Sequence, residues 1–230
     1  MYAKIEIKTT ELILWHAIKT MFDEISGYYD FMNNFISFGT HYIVKFLALK
    51  ELNIQPRTMI LDLCCGTGDF TKLITKFYPR ARVIGLDFSQ EMLKLAKQKN
   101  PNGVFMQADC TSLPFGDVEF DYVTMGFGLR NIENRTKVID EIYRVLNCGG
   151  KFLHLDFGYH NFLSKIFNVI VPFCAKVLKK NADHYKYLID SKEEFPNPDE
   201  LIHEFEKHGF KYVKKQDYLF GIISAQIMMK

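Results

Sequence analysis

LDLCCGTGDF (residues 61–70) decides the reading of this chain: a short apolar run, a Gly66-x-Gly68 bend, then the start of a helix-like segment. Where a strand hands over to a helix through such a bend, the ligand of a doubly wound sheet sits beside it, at the carboxyl ends of the strands. The two glycines let backbone approach that ligand with no Cβ in the way. A dinucleotide fingerprint would carry Gly or Ala three residues after Gly68, and Thr71 stands there instead. The phosphate-loop pattern G-x-x-x-x-G-K-[ST] is absent.

Charge narrows the ligand further. Asp62 and Asp69 flank the bend, so a pyrophosphate would meet like charge. S-adenosylmethionine presents an ammonium and a sulfonium and has no phosphate. A Coulomb difference of about 1 kcal/mol in water, several-fold larger when partly desolvated, favours the cationic ligand. Asp87 closes the next apolar run, 19 residues beyond Gly68. A carboxylate at that place takes both ribose hydroxyls of an adenosyl group. Asp109, after the third run, is placed for the adenine edge.

Outward from the bend the chain alternates strand-like and helix-like stretches, the pattern of a parallel sheet with helices on both faces. The strands are read at TMILDLC (58–64), ARVIGLD (81–87), GVFMQAD (103–109), FDYVTMGF (120–127) and KFLHLDF (151–157). Between them lie DFTKLITKFY (69–78), SQEMLKLAKQK (89–99) with Ser89 as its cap, and ENRTKVIDEIYRVL (133–146). CGG (148–150) is expected to end that last helix with a left-handed glycine cap. The rhythm breaks after Asp156. PDELIHEFEKHG (198–209) reads as a helix, and FKYVKKQDY (210–218) with GIISAQIMM (221–229) as a terminal antiparallel pair turning at Phe220–Gly221. The expected organisation is one domain over 1–230: a helical cap (1–55), a cofactor-binding core (56–157), a helical insertion or lid (158–196) and the C-terminal helix with its strand pair (197–230).

Composition is that of a globular protein: 230 residues, 48% hydrophobic, 24% charged, long enough to bury a core without disulfides or a metal. A formal charge of +2 offers no track for nucleic acid. Five scattered cysteines with no CxxC pair indicate neither a disulfide framework nor a metal site, and suit a reducing interior. Met1–Lys8 lacks the apolar stretch of a signal peptide and carries Glu6, so the chain is expected in the cytoplasm.

Six blocks carry a resemblance: MFDEISGYYDFMNNFISFG (21–39), LDLCCGTGDF (61–70), LPFGDVEFDYV (113–123), GFGLRNI (126–132), YRVLNCGG (143–150), and ADHYKYLIDS with EEFPNPDEL (182–191 and 193–201). In that order they resemble the C-methyltransferase family of ubiquinone and menaquinone biosynthesis. The resemblance implies a class I methyltransferase: a Rossmann-like, mostly parallel seven-stranded sheet with an antiparallel terminal strand. It implies S-adenosylmethionine as donor and a ring carbon of a prenylated quinol as acceptor, and the CC before GTGD leans towards menaquinone. The family's cofactor contacts fall on Thr67, Asp87, the Asp109–Cys110 pair and Gly126. The chain departs from the family with Gly126 where serine is frequent, His184 for serine, Cys148 for proline and Asp156 for glutamate.

Methyl transfer to a hydroquinone carbon requires a hydroxyl near pKa 10 to ionise, with a cation or a base to help. Arg130 and Asn131, in the loop after the fourth strand, are the first candidates, with Arg130 as an electrostatic clamp on the developing phenolate. Asp156, His154 or water would take the proton. Tyr28 and Asn33 in the cap, and Tyr185 and Tyr187 in the insertion, are candidates to close over the ring. In FLSKIFNVIVPFCAKVL (162–178) Lys165, Asn168, Pro172 and Lys176 form a narrow polar stripe on an apolar helix. It reads either as a lid for the prenyl chain at the inner face of a membrane, or as a helix buried inside. A homodimer or a quinone-biosynthesis complex is a further expectation. A different small-molecule acceptor, or a non-catalytic scaffold, stands as the alternative function.

Overall fold

In the computed structural model the described residues are 18, 20–24, 26, 27, 30, 34, 37, 39–159 and 189–230. Alternating apolar and turn-forming stretches give helix α1 (Thr40–Glu51), β1 (Met59–Leu63), α2 (Asp69–Phe77), β2 (Arg82–Asp87), α3 (Gln90–Lys99) and β3 (Val104–Gln107). They continue with β4 (Phe120–Gly126), a 3-10 turn (Leu129–Asn131), α4 (Arg135–Val145), β5 (Leu146–Phe157), α5 (Pro198–Lys207), β6 (Lys211–Tyr218) and β7 (Ile223–Met229). Among the described residues these strands form one seven-stranded sheet in the order β3-β2-β1-β4-β5-β7-β6. Every neighbour from β3 to β5 is parallel, and β7 runs antiparallel to both β5 and β6.

Strands covered on both faces must be apolar on both faces. Ile60 and Leu61 of β1, Tyr122 and Val123 of β4, and Phe152 and Leu153 of β5, neighbours that point to opposite faces, are buried accordingly. One core packs Val138, Ile139 and Ile142 of α4 with Leu201 and Phe205 of α5. The other packs Val44, Ala48 and Leu49 of α1 with Phe70 and Ile74 of α2. The strand order turns back on itself at β1, with β2 and β3 to one side and β4 and β5 to the other. That reversal opens a crevice at the carboxyl ends of β1 and β4, where such sheets bind ligands.

Gly149 does not cap α4 as the CGG run suggested. The helix ends at Val145, and Leu146 turns extended at once (φ −72°, ψ 140°). The cause is pairing: Leu146 already faces Phe120 of β4, so the chain must be strand there. Gly149 keeps its left-handed backbone (φ 78°), but inside β5, where the register with β4 shifts, and its amide donates to the Lys230 carbonyl. Of the insertion read at 158–196, residues 158, 159 and 189–196 are described, and 189–193 are helical. Its apolar stretch 162–178 lies outside the described residues.

Candidate functional site

At the carboxyl ends of β1, β2 and β4 a cavity of about 470 Å³ opens. Of the residues expected to hold a cofactor, Gly66, Asp87, Asp109, Cys110 and Gly126 line it, as does Asn131. Asp87 ends β2 and is nearly buried. Its Oδ2 accepts the Gly66 amide (2.8 Å) and its Oδ1 accepts the Ser89 amide (2.9 Å), so one carboxylate ties the glycine bend to the start of α3. Each oxygen keeps a lone pair for a hydroxyl. Burial pushes the Asp87 carboxyl up to about 6. Asp109 Oδ1 accepts the Thr111 amide at 2.8 Å on the opposite wall.

Gly126 is needed as glycine in this chain. A Cβ there would sit 2.5 Å from Phe70 Cε2 in the core beneath the cavity. The serine frequent in the resembling family would therefore overpack unless Phe70 yields. Gly126→Ser is expected to lower stability by about 1–3 kcal/mol. Adding Phe70→Leu should return most of that loss, and urea unfolding of the single and double variants measures both effects.

Three expected cofactor residues face elsewhere. Asp62 is 1% exposed. Its Oδ2 accepts the Thr71 amide (2.9 Å) and hydroxyl (2.7 Å), and its Oδ1 accepts the Thr124 hydroxyl (2.9 Å). It therefore braces β1, α2 and β4, and burial raises its carboxyl to about 6. Thr67 turns its hydroxyl away from the cavity, donating to Asp30 (2.6 Å) and accepting from Lys99 Nζ (2.8 Å). Gly68, left-handed at φ 80°, opens α2, and a Cβ on it would meet Ala96 at 3.0 Å and the Phe105 ring at 3.1 Å. Its work is close packing of α2 on α3 and β3.

The charge argument for the bend also needs correction. Asp69 does not present bare charge: Lys45 (2.7 Å) and Lys99 (2.7 Å) bind its two oxygens. Burial alone would raise its carboxyl, but the two ammonium groups outweigh that and hold it well below the usual carboxylate range. His41, 3.9 Å away, is lowered to about 4 by burial and by Lys45, so it stays neutral near pH 7. Of the acids named from the sequence, Asp87 and Asp109 line the cavity, and Glu133 lines it with them.

The cavity also has walls that spacing did not reveal. Ile18 and Phe22 of the N-terminal segment line it, with the Phe22 ring edge-on to Phe88 at 6.2 Å. Asp23 accepts the Ser89 hydroxyl, and Lys99 also binds Asp30 (2.9 Å). Nothing periodic links these residues, so only the fold brings them together.

Arg130, His154 and Asp156 stand beside the cavity rather than on its lining. The Arg130 side chain is 7% exposed, and its Nη1 donates to Asp156 Oδ1 (2.9 Å) and to the Phe127 carbonyl (2.8 Å). It lies over the Phe157 ring at 5.2 Å. Asn131, the next residue, does line the cavity and donates to the same Phe127 carbonyl (3.2 Å). His154 is fully buried with Nδ1 2.6 Å from Gln226 Oε1. Thus Arg130 is ion-paired instead of lying open to a ligand, and neither proton-acceptor candidate reaches the cavity surface among the described residues. Among the described residues, Arg130 Nε, His154 Nε2 and Asp156 Oδ2 are buried without a hydrogen-bond partner. Tyr28, Asn33, Tyr185 and Tyr187 lie outside the described residues.

Comparison with known proteins returns a consistent set. A model described as the ubiE/COQ5 methyltransferase family matches residues 8–230. A demethylmenaquinone methyltransferase of Anoxybacillus flavithermus is 37% identical over 222 residues, covering 91% of this chain and 94% of the relative. One from Geobacillus stearothermophilus is 36% identical over 225 residues, covering 93% and 96%. Among solved structures, a Thermotoga maritima protein described as a SAM-dependent methyltransferase, possibly a histamine N-methyltransferase, superposes with a TM-score of 0.69. It is 18% identical, with 93% of this chain and 99% of that one covered, a likeness of fold alone.

Proposed function

We infer the reaction from the fact that this chain belongs to the ubiE/COQ5 methyltransferase family: it is an S-adenosylmethionine-dependent methyltransferase of menaquinone biosynthesis. The finer reading proposed here is methylation of a ring carbon of demethylmenaquinol. The likeness to demethylmenaquinone methyltransferases, extending over more than 90% of both chains, carries it. The residues present suit the cofactor. Asp87 offers two accepting oxygens at the cavity wall, and the bend at Gly66 (φ 53°) brings backbone to that wall.

When bound, S-adenosylmethionine supplies an electrophilic methyl group, and the protein's largest contribution is to hold the two reactants at attack distance. Asp87 would fix the ribose, and Asp109 with Cys110 the adenine end. On the acceptor side, the Arg130 guanidinium behind the cavity wall is the cation proposed to steady the developing phenolate by its charge. Asp156 holds that guanidinium in place and keeps it from leaving a lone charge in the core.

Purified protein, labelled S-adenosylmethionine and demethylmenaquinol in detergent form the test. Label on the naphthoquinol ring carbon is expected. Label in a phenolic ether, or cofactor binding without turnover on any reduced quinol, overturns the reading.

No helix among the described residues is long and apolar enough to cross a membrane. The apolar stretch 162–178 with Lys179 and Lys180 behind it supports peripheral docking on anionic lipid. Flotation with anionic but not neutral vesicles is the expected outcome; no flotation with either removes the docking proposal.

A further inference from the structure

A row of polar side chains crosses the sheet beside the Arg130–Asp156 pair. Asp217 of β6 faces Ser224 of β7, which faces Asp156 of β5; one step along, Gln226 of β7 faces His154 of β5. Donor counting along this row fixes every proton. The Asp217 carboxylate can only accept, so the Ser224 hydroxyl gives its one hydrogen to Asp217 Oδ1 (2.7 Å). Ser224 Oγ must then accept, and Gln226 Nε2 donates to it at 2.9 Å. That orientation turns Gln226 Oε1, an acceptor, towards His154 Nδ1 at 2.6 Å. Nδ1 therefore carries hydrogen. Burial lowers the His154 pKa, which keeps the ring neutral, so Nε2 is left as a bare lone pair.

That lone pair lies 4.0 Å from Asp156 Oδ2, and neither atom has a hydrogen-bond partner among the described residues. Two buried acceptors opposed in this way are unfavourable until a proton comes between them. The surroundings are otherwise closed. The Phe152, Phe195 and Phe205 rings pack around the imidazole at centroid distances of 6.2, 6.1 and 5.7 Å. The charged groups facing it are Asp156 on its own strand, Arg130 from the 3-10 turn and Glu204 from α5, while Lys192 lies over the neighbouring Phe157 ring.

We propose that the Asp217–Ser224–Gln226 row locks His154 as the Nδ1–H tautomer, so that His154 and Asp156 together hold the proton displaced by methyl transfer. The inference rests on the C-methyltransferase reading above. In the step, the sulfur–methyl bond breaks and a carbon–carbon bond forms. The ring hydrogen leaves as a proton to water in the cavity, because neither Asp156 nor His154 lines it, is relayed to Asp156 Oδ2 and shared with His154 Nε2, and passes to solvent as product departs. No oxidant or reductant enters. Gln226 is a positioning residue in this scheme, acting only through His154.

Two measurements test it. Long-range proton–nitrogen NMR of histidine-labelled protein reports which ring nitrogen of His154 carries hydrogen. Hydrogen on Nδ1 is expected in the wild type, with loss of that exclusive tautomer in Gln226→Leu. Hydrogen on Nε2 in the wild type overturns the proposal whether or not the protein turns over. The second is the pH dependence of turnover at saturating cofactor. Gln226→Glu makes the imidazole more basic and should move the acid limb up by about one unit. Gln226→Leu should lower turnover about ten- to hundredfold with cofactor affinity unchanged. A purely structural role for Gln226 changes thermal stability and leaves the pH profile in place, and that result in both variants overturns the proposal. A wild type that methylates no quinol defeats the C-methyltransferase reading instead, and the NMR arm still judges the tautomer.

Discussion

Asp87→Ala raises the Kd for S-adenosylmethionine by about two to four powers of ten, as isothermal titration calorimetry would record. Two hydrogen bonds from ribose hydroxyls to a carboxylate contribute about 1.5–3 kcal/mol each, and each 1.4 kcal/mol is a factor of ten. The same carboxylate also holds the Gly66 and Ser89 amides at 2.8 and 2.9 Å, so the substitution loosens the bend as well. Asp87→Asn keeps one accepting oxygen and should fall between the two. Protonation gives an independent check. With burial placing the Asp87 carboxyl at about 6, above its ordinary value near 4, the folded apo-protein binds this proton more tightly than the unfolded chain. Asp87 therefore makes the apo-protein less stable as pH rises from about 4 to about 6, and contributes no further change above that. Ribose hydroxyls favour the ionised form, so cofactor affinity should decline as pH falls below about 6. An affinity for Asp87→Ala within threefold of wild type would remove this residue from the cofactor site.

Asp87 was legible in the sequence because strand ends are. A carboxylate closing the second apolar run of a parallel sheet stands beside the first bend wherever the strands are in register, and Leu63 pairs with Leu86 here. The five core strands followed from the same patterning and the terminal pair from its tight turn, while the antiparallel placement of β7 in a seven-stranded sheet came from the family resemblance. What the sequence did not disclose is charge that arrives from far along the chain. Lys45 and Lys99 lie 24 and 30 residues from Asp69, yet they neutralise it. The Coulomb reasoning that favoured a cationic ligand therefore reached its conclusion through one acid that carries no open charge and another, Asp62, that braces three elements. Thr67 misled for a related reason: its backbone belongs to the bend, while its hydroxyl belongs to Asp30. The CGG run failed because pairing of Leu146 with Phe120 overrides a local capping preference. Orientation of a side chain is set by neighbours that no local spacing encodes.

Arg130→Ala should cut turnover by about two to three powers of ten while leaving cofactor affinity within about threefold. The asymmetry follows from placement: Arg130 is off the cavity lining, whereas Asp87, Asp109 and Gly126 are on it. Loss of the guanidinium removes the cation proposed to steady the phenolate and also strands Asp156, which is fully buried and 2.9 Å from Arg130 Nη1. A buried carboxylate deprived of its partner costs about 3–5 kcal/mol, which lowers Tm by about 10 °C in a domain of this size. Arg130→Lys separates the two roles. Its ammonium can neutralise Asp156 and restore most of the stability, yet it cannot reach Asp156 and the Phe127 carbonyl while also presenting a second N–H in a fixed plane. Stability recovered without turnover is the expected pattern. Turnover near the wild-type rate in Arg130→Ala would mean that the guanidinium serves the fold alone, and that the phenolate is stabilised by some other group.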